Sequence, residues 1–419
     1  MDILLIHQNF PGQFKHLAPA LARAGHRVTA LTCRVKEAQT WHGVRILPYA
    51  IRGASTREIH PWLADFETKV LRGHSCHAAA AALKAQGYAP DVICAHHGWG
   101  ESLFLKDVWP EARLGLYCEL YHLSTPDFTT FDPEFPPRDP ATDALRLRLK
   151  NLNNRLHAEV MDAGLSPTHF QAGTYPDPVR ERITVAHDGV DTGVVRPDPG
   201  ARLPVTDTVT LTPDDEVVTF INRNLEPYRG YHVFMRALPE ILRTRPRAHV
   251  VLIGAEGTSY GSAPPKGQTW KQIFLDEVRP RIPEADMARV HFLGRVPYDR
   301  YLSMLQASSV HVYLTYPFVL SWSLLEAMAA ECAILASDTA PVREAISDGE
   351  TGVLTDFFDR ETLVARLGEL LDDPDRRARL GRAARQHVLK HYDLETVCLP
   401  AQMAWVEHLE TLDPRPPRD

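Results

Sequence analysis

An apolar helix running straight into an apolar strand constrains this chain more than any other feature. The stretch Phe318 to Ile346 reads FVLSWSLLEAMAAECAILASDTAPVREAI. Ser321 stands just before the apolar run, where its hydroxyl can accept a bond from a free first-turn N–H. This predicts a helix from Trp322 to about Glu331. Trp, Leu, Ala and Met occupy nearly all of its sides, which predicts burial. Glu326 sits in the middle, and a carboxylate there is costly without a partner. Ala333 to Ala336 is short enough for a buried parallel strand, closed by Asp338 to Pro341. A helix N-terminus that opens on a cleft offers bare amides and a positive dipole end to a phosphate. Glu326, one turn further in, can accept the two hydroxyls of a ribose.

A chain of 419 residues, 44% hydrophobic and 24% charged, can bury a large core and fill two or three domains. Its net charge of -7 gives no chain-wide pull toward nucleic acid. No apolar run approaches the roughly 18 residues of a membrane span, and the start MDILLIHQNF lacks the pattern of a signal peptide, so a cytoplasmic location is expected. Cys33, Cys76, Cys94, Cys118, Cys332 and Cys398 form no C-x-x-C pair, which suggests reduced and mostly buried thiols.

Ile3 to His7 is a short apolar run. The turn Asn9 to Gln13 follows, then a helical pattern from about Phe14 to Ala24 ending at Gly25, then the apolar run His26 to Leu31. Strand, turn, helix and strand in that order imply a right-handed crossover in a parallel sheet, with Gly12 in the turn at the ligand-binding end. Asp91 to Ala95 ends in His96-His97, and Leu114 to Cys118 ends in Glu119-Leu120-Tyr121-His122. These polar groups should share one edge. Glu119 is suited to general-base work, or equally to bonding neighbouring loop amides. His96 and His97 lack a third ligand at metal spacing, and His74 to His77 lies in a helical pattern. Pro126 to Pro140 reads as a long ordered loop suited to an acceptor. From Asp143 to Ala163, leucines 145, 149, 152 and 156 repeat at helical spacing beside Arg146, Arg148, Lys150 and Arg155. Such a helix packs on the sheet or makes weak contact with an anionic membrane surface.

Arg182 to Ala186 is strand-like, and the segment after His187-Asp188-Gly189-Val190-Asp191 is rich in proline, which marks a domain boundary near Gly189. Val217 to Ile221 is a strand, followed by the loop Asn222 to Gly230 before a helix at Tyr231 to Arg243. Arg223 and Arg229 on that loop make a pocket for a pyrophosphate. His249 to Gly254 and Val290 to Leu293 are further buried strands, leading into the loops Ala255 to Thr269 and Gly294-Arg295-Val296. Tyr298 to Ala307 reads as a helix and Val310 to Leu314 as a strand. Helices follow at Glu361 to Leu371, Pro374 to Lys390 and about Leu394 to Leu412. Asp373-Pro374-Asp375 reads as a helix start, not a metal motif.

The segment LLEAMAAECAILASDTAPVREAISDGETGVL, with GHRVTALT near the start, Gly189-Val190-Asp191 at the junction, Arg223 and Arg229-Gly230, resembles the family-4 retaining glycosyltransferases of GT-B fold. The resemblance implies an α/β fold of two Rossmann-like domains with parallel sheets facing each other across a cleft. Residues 1-189 would be the acceptor side, completed by a helix at 394-412. Residues 190-393 would bind the nucleotide sugar, with a disordered tail at 413-419. It implies transfer of a sugar from a UDP- or GDP-linked donor to a glycan, glycolipid or small-molecule acceptor, in polysaccharide or glycoconjugate assembly, with no cofactor and no metal. By that resemblance Arg223 and Arg229 bind the diphosphate and Glu326 the ribose. Arg295 and Val296 lie by the base, while Asn222 and Gly254 line the donor site. Val319, Leu320 and Ser321 offer amides to the sugar and distal phosphate. Phe318 stands where the family carries a second Glu on the transferred sugar, and Glu119 where it carries a His. His97 and His122 lie beside Glu119, and Gly12 is one glycine where the family has two. A nucleotide-sugar-binding protein without turnover and a UDP-sugar epimerase remain as alternatives. A nicotinamide dehydrogenase is disfavoured, because no G-x-G-x-x-G opens either half. Acceptor, base, sugar and oligomeric state are open.

Overall fold

Short runs of Ile, Val and Leu, buried on both faces, make central strands of parallel sheets, and they set the architecture here. The computed structural model describes residues 1–417 and falls into two units, Met1–Gly189 with Glu395–Asp419, and Val190–Leu394. Strands of the first unit are β1 (Asp2–Ile6), β2 (Arg27–Thr32), β3 (Gln39–Trp41), β4 (Val44–Pro48), β5 (Val92–His96), β6 (Arg113–Tyr117), β7 (Ala163–Ser166) and β8 (Ile183–Val185). They order as β3-β4-β2-β1-β5-β6-β7-β8, parallel except for the β3–β4 hairpin at the edge. Leu4, Ile6, Ile93, Ala95, Leu114 and Leu116 share one core on this sheet.

The second unit opens with a small hairpin of β9 (Leu203–Pro204) and β10 (Thr210–Leu211). Its sheet holds β11 (Val217–Asn224), β12 (His249–Ala255), β13 (Val290–Gly294), β14 (Val310–Tyr313), β15 (Ala333–Ser337) and β16 (Val353–Thr355). The order is β13-β12-β11-β14-β15-β16, and every pairing is parallel. In both sheets the chain steps outward from one strand and then returns to build the other side. The order therefore reverses between β1 and β5 and again between β11 and β14. Crevices at such reversals, outside the carboxyl ends of the strands, are where open α/β sheets bind ligands.

Five helices position the residues that matter below: α1 (Leu17–Arg23), α2 (Ala64–Ala85), α3 (Tyr231–Thr244), α4 (Tyr298–Gln306) and α5 (Trp322–Ala329). α3 buries Phe234, Leu238 and Ile241, each contributing about 1.5–3 kcal/mol over an exposed position. The C-terminal helix Leu399–Glu410 lies on β6, where Gly115 makes room: a Cβ there would sit 2.4 Å from Leu409 and 2.7 Å from Trp405. Where the chain leaves and re-enters the second unit, Val190 N–H donates to Tyr392 O (2.8 Å) and Leu394 N–H to Val190 O (2.9 Å). No helix among the described residues is long and apolar enough to cross a membrane.

Several elements differ from the sequence expectation. The first helix begins at Leu17, not Phe14, after a separate turn at Gly12–Phe14. Starting there keeps Pro19 in the first turn, where its missing N–H costs nothing. Asp143 to Ala163 is not one amphipathic helix but two, Asp143–Lys150 and Leu152–Val160, followed by β7. Its leucine stripe is not the packed face: Leu145 is 45% and Leu156 42% exposed, while Asn151, Asn153 and His157 are buried. Hydrogen bonding, not apolar periodicity, orients this segment. α5 ends at Ala329, earlier than expected, because Glu331 takes a left-handed φ of 63° and Cys332 N–H closes on Ala327 O (3.0 Å). Trp322, expected to be buried, is 48% exposed. Pro126–Thr129 forms a helical turn inside the proline-rich loop, with Pro126 at its first position. Leu394–Cys398 is a π-helical turn before the last helix begins. In the tail, Arg415 N–H donates to Asp162 Oδ1 (2.7 Å), so this part of the expected disordered segment is docked. Residues 418–419 lie outside the described residues.

Candidate functional site

At the β11/β14 reversal, β11 continues to Asn224, three residues beyond the expected end, so Asn222 and Arg223 belong to the strand and not to a loop. Strand alternation exposes Arg223 and buries Asn222 and Asn224. The chain then turns through Pro227–Arg229 into α3. Gly230 is required here on two counts. Its φ is 70°, and a Cβ would meet Leu314 at 2.2 Å. That close approach seats Arg229 against the end of β14. Arg229 is 5% exposed, and its Nη1 donates to Thr315 Oγ1 (2.8 Å) and Val319 O (3.0 Å). Its guanidinium also lies over the rings of Tyr260 (5.2 Å) and Phe318 (5.6 Å). Asn222 Nδ2 donates to Arg229 O (3.2 Å), and Gly254 packs against Leu225.

α5 opens at the same crevice. Ser321 caps it, accepting from Ser323 N–H at 3.4 Å, while its own N–H donates to Tyr313 OH (2.9 Å). The Ser321 amide is thus engaged, contrary to the expectation that it offers itself to a ligand. Val319 and Leu320 complete the same turn, and the Val319 carbonyl is the one held by Arg229. Phe318 belongs to an aromatic cluster with Tyr228 (5.1 Å) and Tyr260 (4.9 Å), which forms a wall with no carboxylate. Further along α5, Glu326 is half-buried. Its Oε1 accepts from Tyr298 OH (2.8 Å) and its Oε2 from Tyr301 OH (2.6 Å), both on α4. The two phenols fix the orientation of the carboxylate on α5. Arg295 is exposed and Val296 packs on the core of this unit; neither is tied to the Arg229 cluster.

Three residues that sequence reasoning missed hold this arrangement. Tyr298 and Tyr301 are one helical turn apart, and that i,i+3 pair was the available signal for the partner Glu326 needs. Glu226 is 1% exposed and accepts from the amides of Ser259 (3.1 Å), Tyr260 (3.3 Å) and Gly261 (3.4 Å), which pins the loop carrying Tyr260 over Arg229. No local pattern marks it, since its partners lie more than thirty residues away.

The β1/β5 reversal of the first unit is different in character. Asn9 N–H donates to His7 Nδ1 (2.9 Å), so His7 carries its proton on Nε2, which donates to Gln13 Oε1 (2.6 Å). Burial lowers the His7 pKa to about 4. Gly12 curls over this ring with φ 46°, and a Cβ there would collide with it at 2.1 Å. His96, at the end of β5, lies between the faces of Trp99 (4.3 Å) and Tyr117 (5.2 Å), with the His7 ring against it at 5.3 Å. Glu119 is 45% exposed in its side chain, with Oε2 3.6 Å from His96 Nε2.

His97, expected as a catalytic group, is enclosed. Its Nδ1 faces Tyr117 O (3.0 Å) and its Nε2 faces Asn154 Oδ1 (2.7 Å), so neither ring nitrogen is left for a substrate. Burial lowers its pKa, against the pull of those two oxygens. His122 is held through its backbone, donating to Asn151 Oδ1 (3.0 Å) and accepting from Asn151 Nδ2 (2.7 Å). Asn154 links to Asn151 (3.0 Å), which joins His97 and His122 into one network. This is the hydrogen bonding that displaced the leucine stripe.

Comparison with known proteins finds glycosyltransferases. Residues 24–195 match the model described as glycosyl transferase family 4 group, and residues 207–387 match glycosyl transferases group 1. A D-inositol 3-phosphate glycosyltransferase of Streptomyces scabiei is 30% identical over 229 residues, covering 54% of this chain and 48% of that protein. The chain thus spans about half the length of the curated relatives it matches. Among solved structures, sucrose-phosphate synthase of Thermosynechococcus elongatus superposes with TM-score 0.73 at 17% identity, covering 97% of this chain and 99% of that one. HepE of Anabaena, solved in complex with UDP-glucose, superposes with TM-score 0.65 at 14% identity, covering 97% and 100%.

Proposed function

Because this chain belongs to the glycosyltransferases of GT-B fold, we propose that it moves a sugar from a nucleotide-diphosphate donor to an acceptor hydroxyl with retention of anomeric configuration. The carrying observation is the β11/β14 reversal, where Arg223 lies near the end of β11, Arg229 is anchored to the Val319 carbonyl ahead of α5, and Glu326 follows along α5. In that reaction the acceptor oxygen bonds to the anomeric carbon. The bond from that carbon to the diphosphate breaks, with its electron pair leaving on the phosphate. Negative charge builds on the diphosphate in the transition state, and the guanidiniums of the anchored Arg229 and the exposed Arg223 would stabilise it there. They stand in for a divalent cation, so turnover is expected to persist in EDTA. Glu326 is assigned to the ribose hydroxyls and Glu119 to the acceptor's proton. A UDP- or GDP-sugar is the proposed donor, and a glycan, glycolipid or small polyol the acceptor. The crystallised HepE complex with UDP-glucose supports the donor class.

A second reading, a nucleotide-sugar-binding protein without turnover, is favoured by one feature: Phe318 walls the crevice with an aromatic ring stacked on Arg229. Incubation with radiolabelled UDP- and GDP-sugars separates the two. Transfer to an added acceptor, or slow hydrolysis, supports the enzyme. Micromolar binding with neither supports the second reading.

A further inference from the structure

A buried histidine ordinarily gives its ring N–H to a carbonyl or carboxylate, because a buried donor left unpaired loses its hydration with nothing in return. His96 does not. It is 1% exposed, its Nδ1 accepts from Gly98 N–H (3.3 Å), and its proton therefore sits on Nε2. That Nε2 has no hydrogen-bond partner. Trp99 and Tyr117 hold both ring faces, so the ring cannot swing to find one. Burial also keeps it neutral. The atom it points toward, Glu119 Oε2, stands 3.6 Å away, too far for a direct bond. Two such groups, one a fixed donor and one an acceptor, suit a single oxygen that can accept from the first and donate to the second. A hydroxyl does both, whereas a phosphate or carboxylate would face the Glu119 charge with no proton to offer.

On the reading of the first unit as the acceptor side, we propose that His96 and Glu119 clamp one hydroxyl of a neutral sugar or polyol. His96 is the donor to that oxygen, and Glu119 takes its hydrogen bond. The position at the β1/β5 reversal, beside the Trp99 ring, is where such a ligand would be expected in an open α/β sheet.

The test uses the full chain with ¹⁵N-labelled histidine. D-glucose, myo-inositol and glycerol are each titrated to 200 mM while the His96 Nε2 resonance is followed. At least one should shift that resonance saturably. His96→Phe, which keeps the stacked ring and removes the donor, should weaken binding fivefold or more in ligand-observed NMR, and His96→Gln should restore part of the loss. Glu119→Leu and the near-isosteric Glu119→Gln, each checked by thermal melt for an unchanged Tm, should weaken it, the first by a similar factor and the second by less. No saturable binding of any of the three, unchanged affinity in Glu119→Leu, or displacement by inorganic phosphate would overturn the clamp. UDP binding measured by calorimetry is independent of this outcome: its failure would remove the donor reading and not the hydroxyl site.

Discussion

The two strand reversals occupy equivalent places in their sheets, yet they are built from opposite chemistry. Between β1 and β5 the chain stacks a tryptophan and a tyrosine on the neutral His96 ring and sets His7 edge-on to it, with one carboxylate at the rim. Between β11 and β14 it sets two guanidiniums and a helix N-terminus, with a carboxylate held one turn inside. The first surface suits uncharged hydroxyls and the second suits phosphates. On the proposed assignments one scaffold would carry two sites of different polarity, and the difference lies in a few residues at strand ends.

The contrast predicts that acid strains the first unit more than the second. Burial lowers His7 and His187 to about 4 and His157 to about 3, and it lowers His96 and His97 as well. In the second unit it lowers His311 to about 3 and His291 to about 4. An unfolded chain takes up protons near pH 6.5, before these folded groups do, so stability is present above that pH and falls as pH drops toward 4. The total loss is on the order of several kcal/mol. Thermal melts at pH 7.5 and 5 should show it as a lower Tm, and hydrogen exchange should find the first unit opening sooner. A Tm that does not change with pH would refute it.

Arg229→Ala should weaken UDP binding by about a hundredfold or more. It removes a charged donor and leaves the Thr315 hydroxyl and Val319 carbonyl with a lost partner. Arg223→Ala removes an exposed cation with no structural duty, and should cost about 2 kcal/mol of UDP affinity with no change in Tm. Calorimetry and melting on both variants check the split; equal losses of Tm would mean that Arg229 is not anchored as described. The smallest effect expected is for Tyr301→Phe. Losing one phenol on Glu326 should reduce UDP affinity by about 1 kcal/mol while leaving histidine titrations in the first unit untouched.

Much of the fold was legible in the sequence because its strands are buried on both faces and stand out as uninterrupted apolar runs. Ala333 to Ala336 and Ile3 to His7 are cases, each placed within a residue or two. Glu326 stood out because a carboxylate in an apolar helix needs a partner, and Tyr298 and Tyr301 supply it; Arg229 stood out as a cation on the turn before a helix N-terminus. The segment 143–163 was misread because its buried face is Asn151, Asn153 and His157, and hydrogen-bonded burial leaves no hydrophobic period to detect. Glu226 was invisible for the related reason that amides from a distant loop satisfy it. His97 looked available from sequence, and only the Asn154 network shows that it is spent.

A crystal of the full chain soaked with UDP addresses the division of labour between the two reversals most directly. The diphosphate should lie within hydrogen-bonding reach of Arg223 and Arg229, with ribose hydroxyls on Glu326 and the His7–His96 crevice free of nucleotide. UDP seated against His7 and His96, or density nowhere near the end of β11, would contradict it.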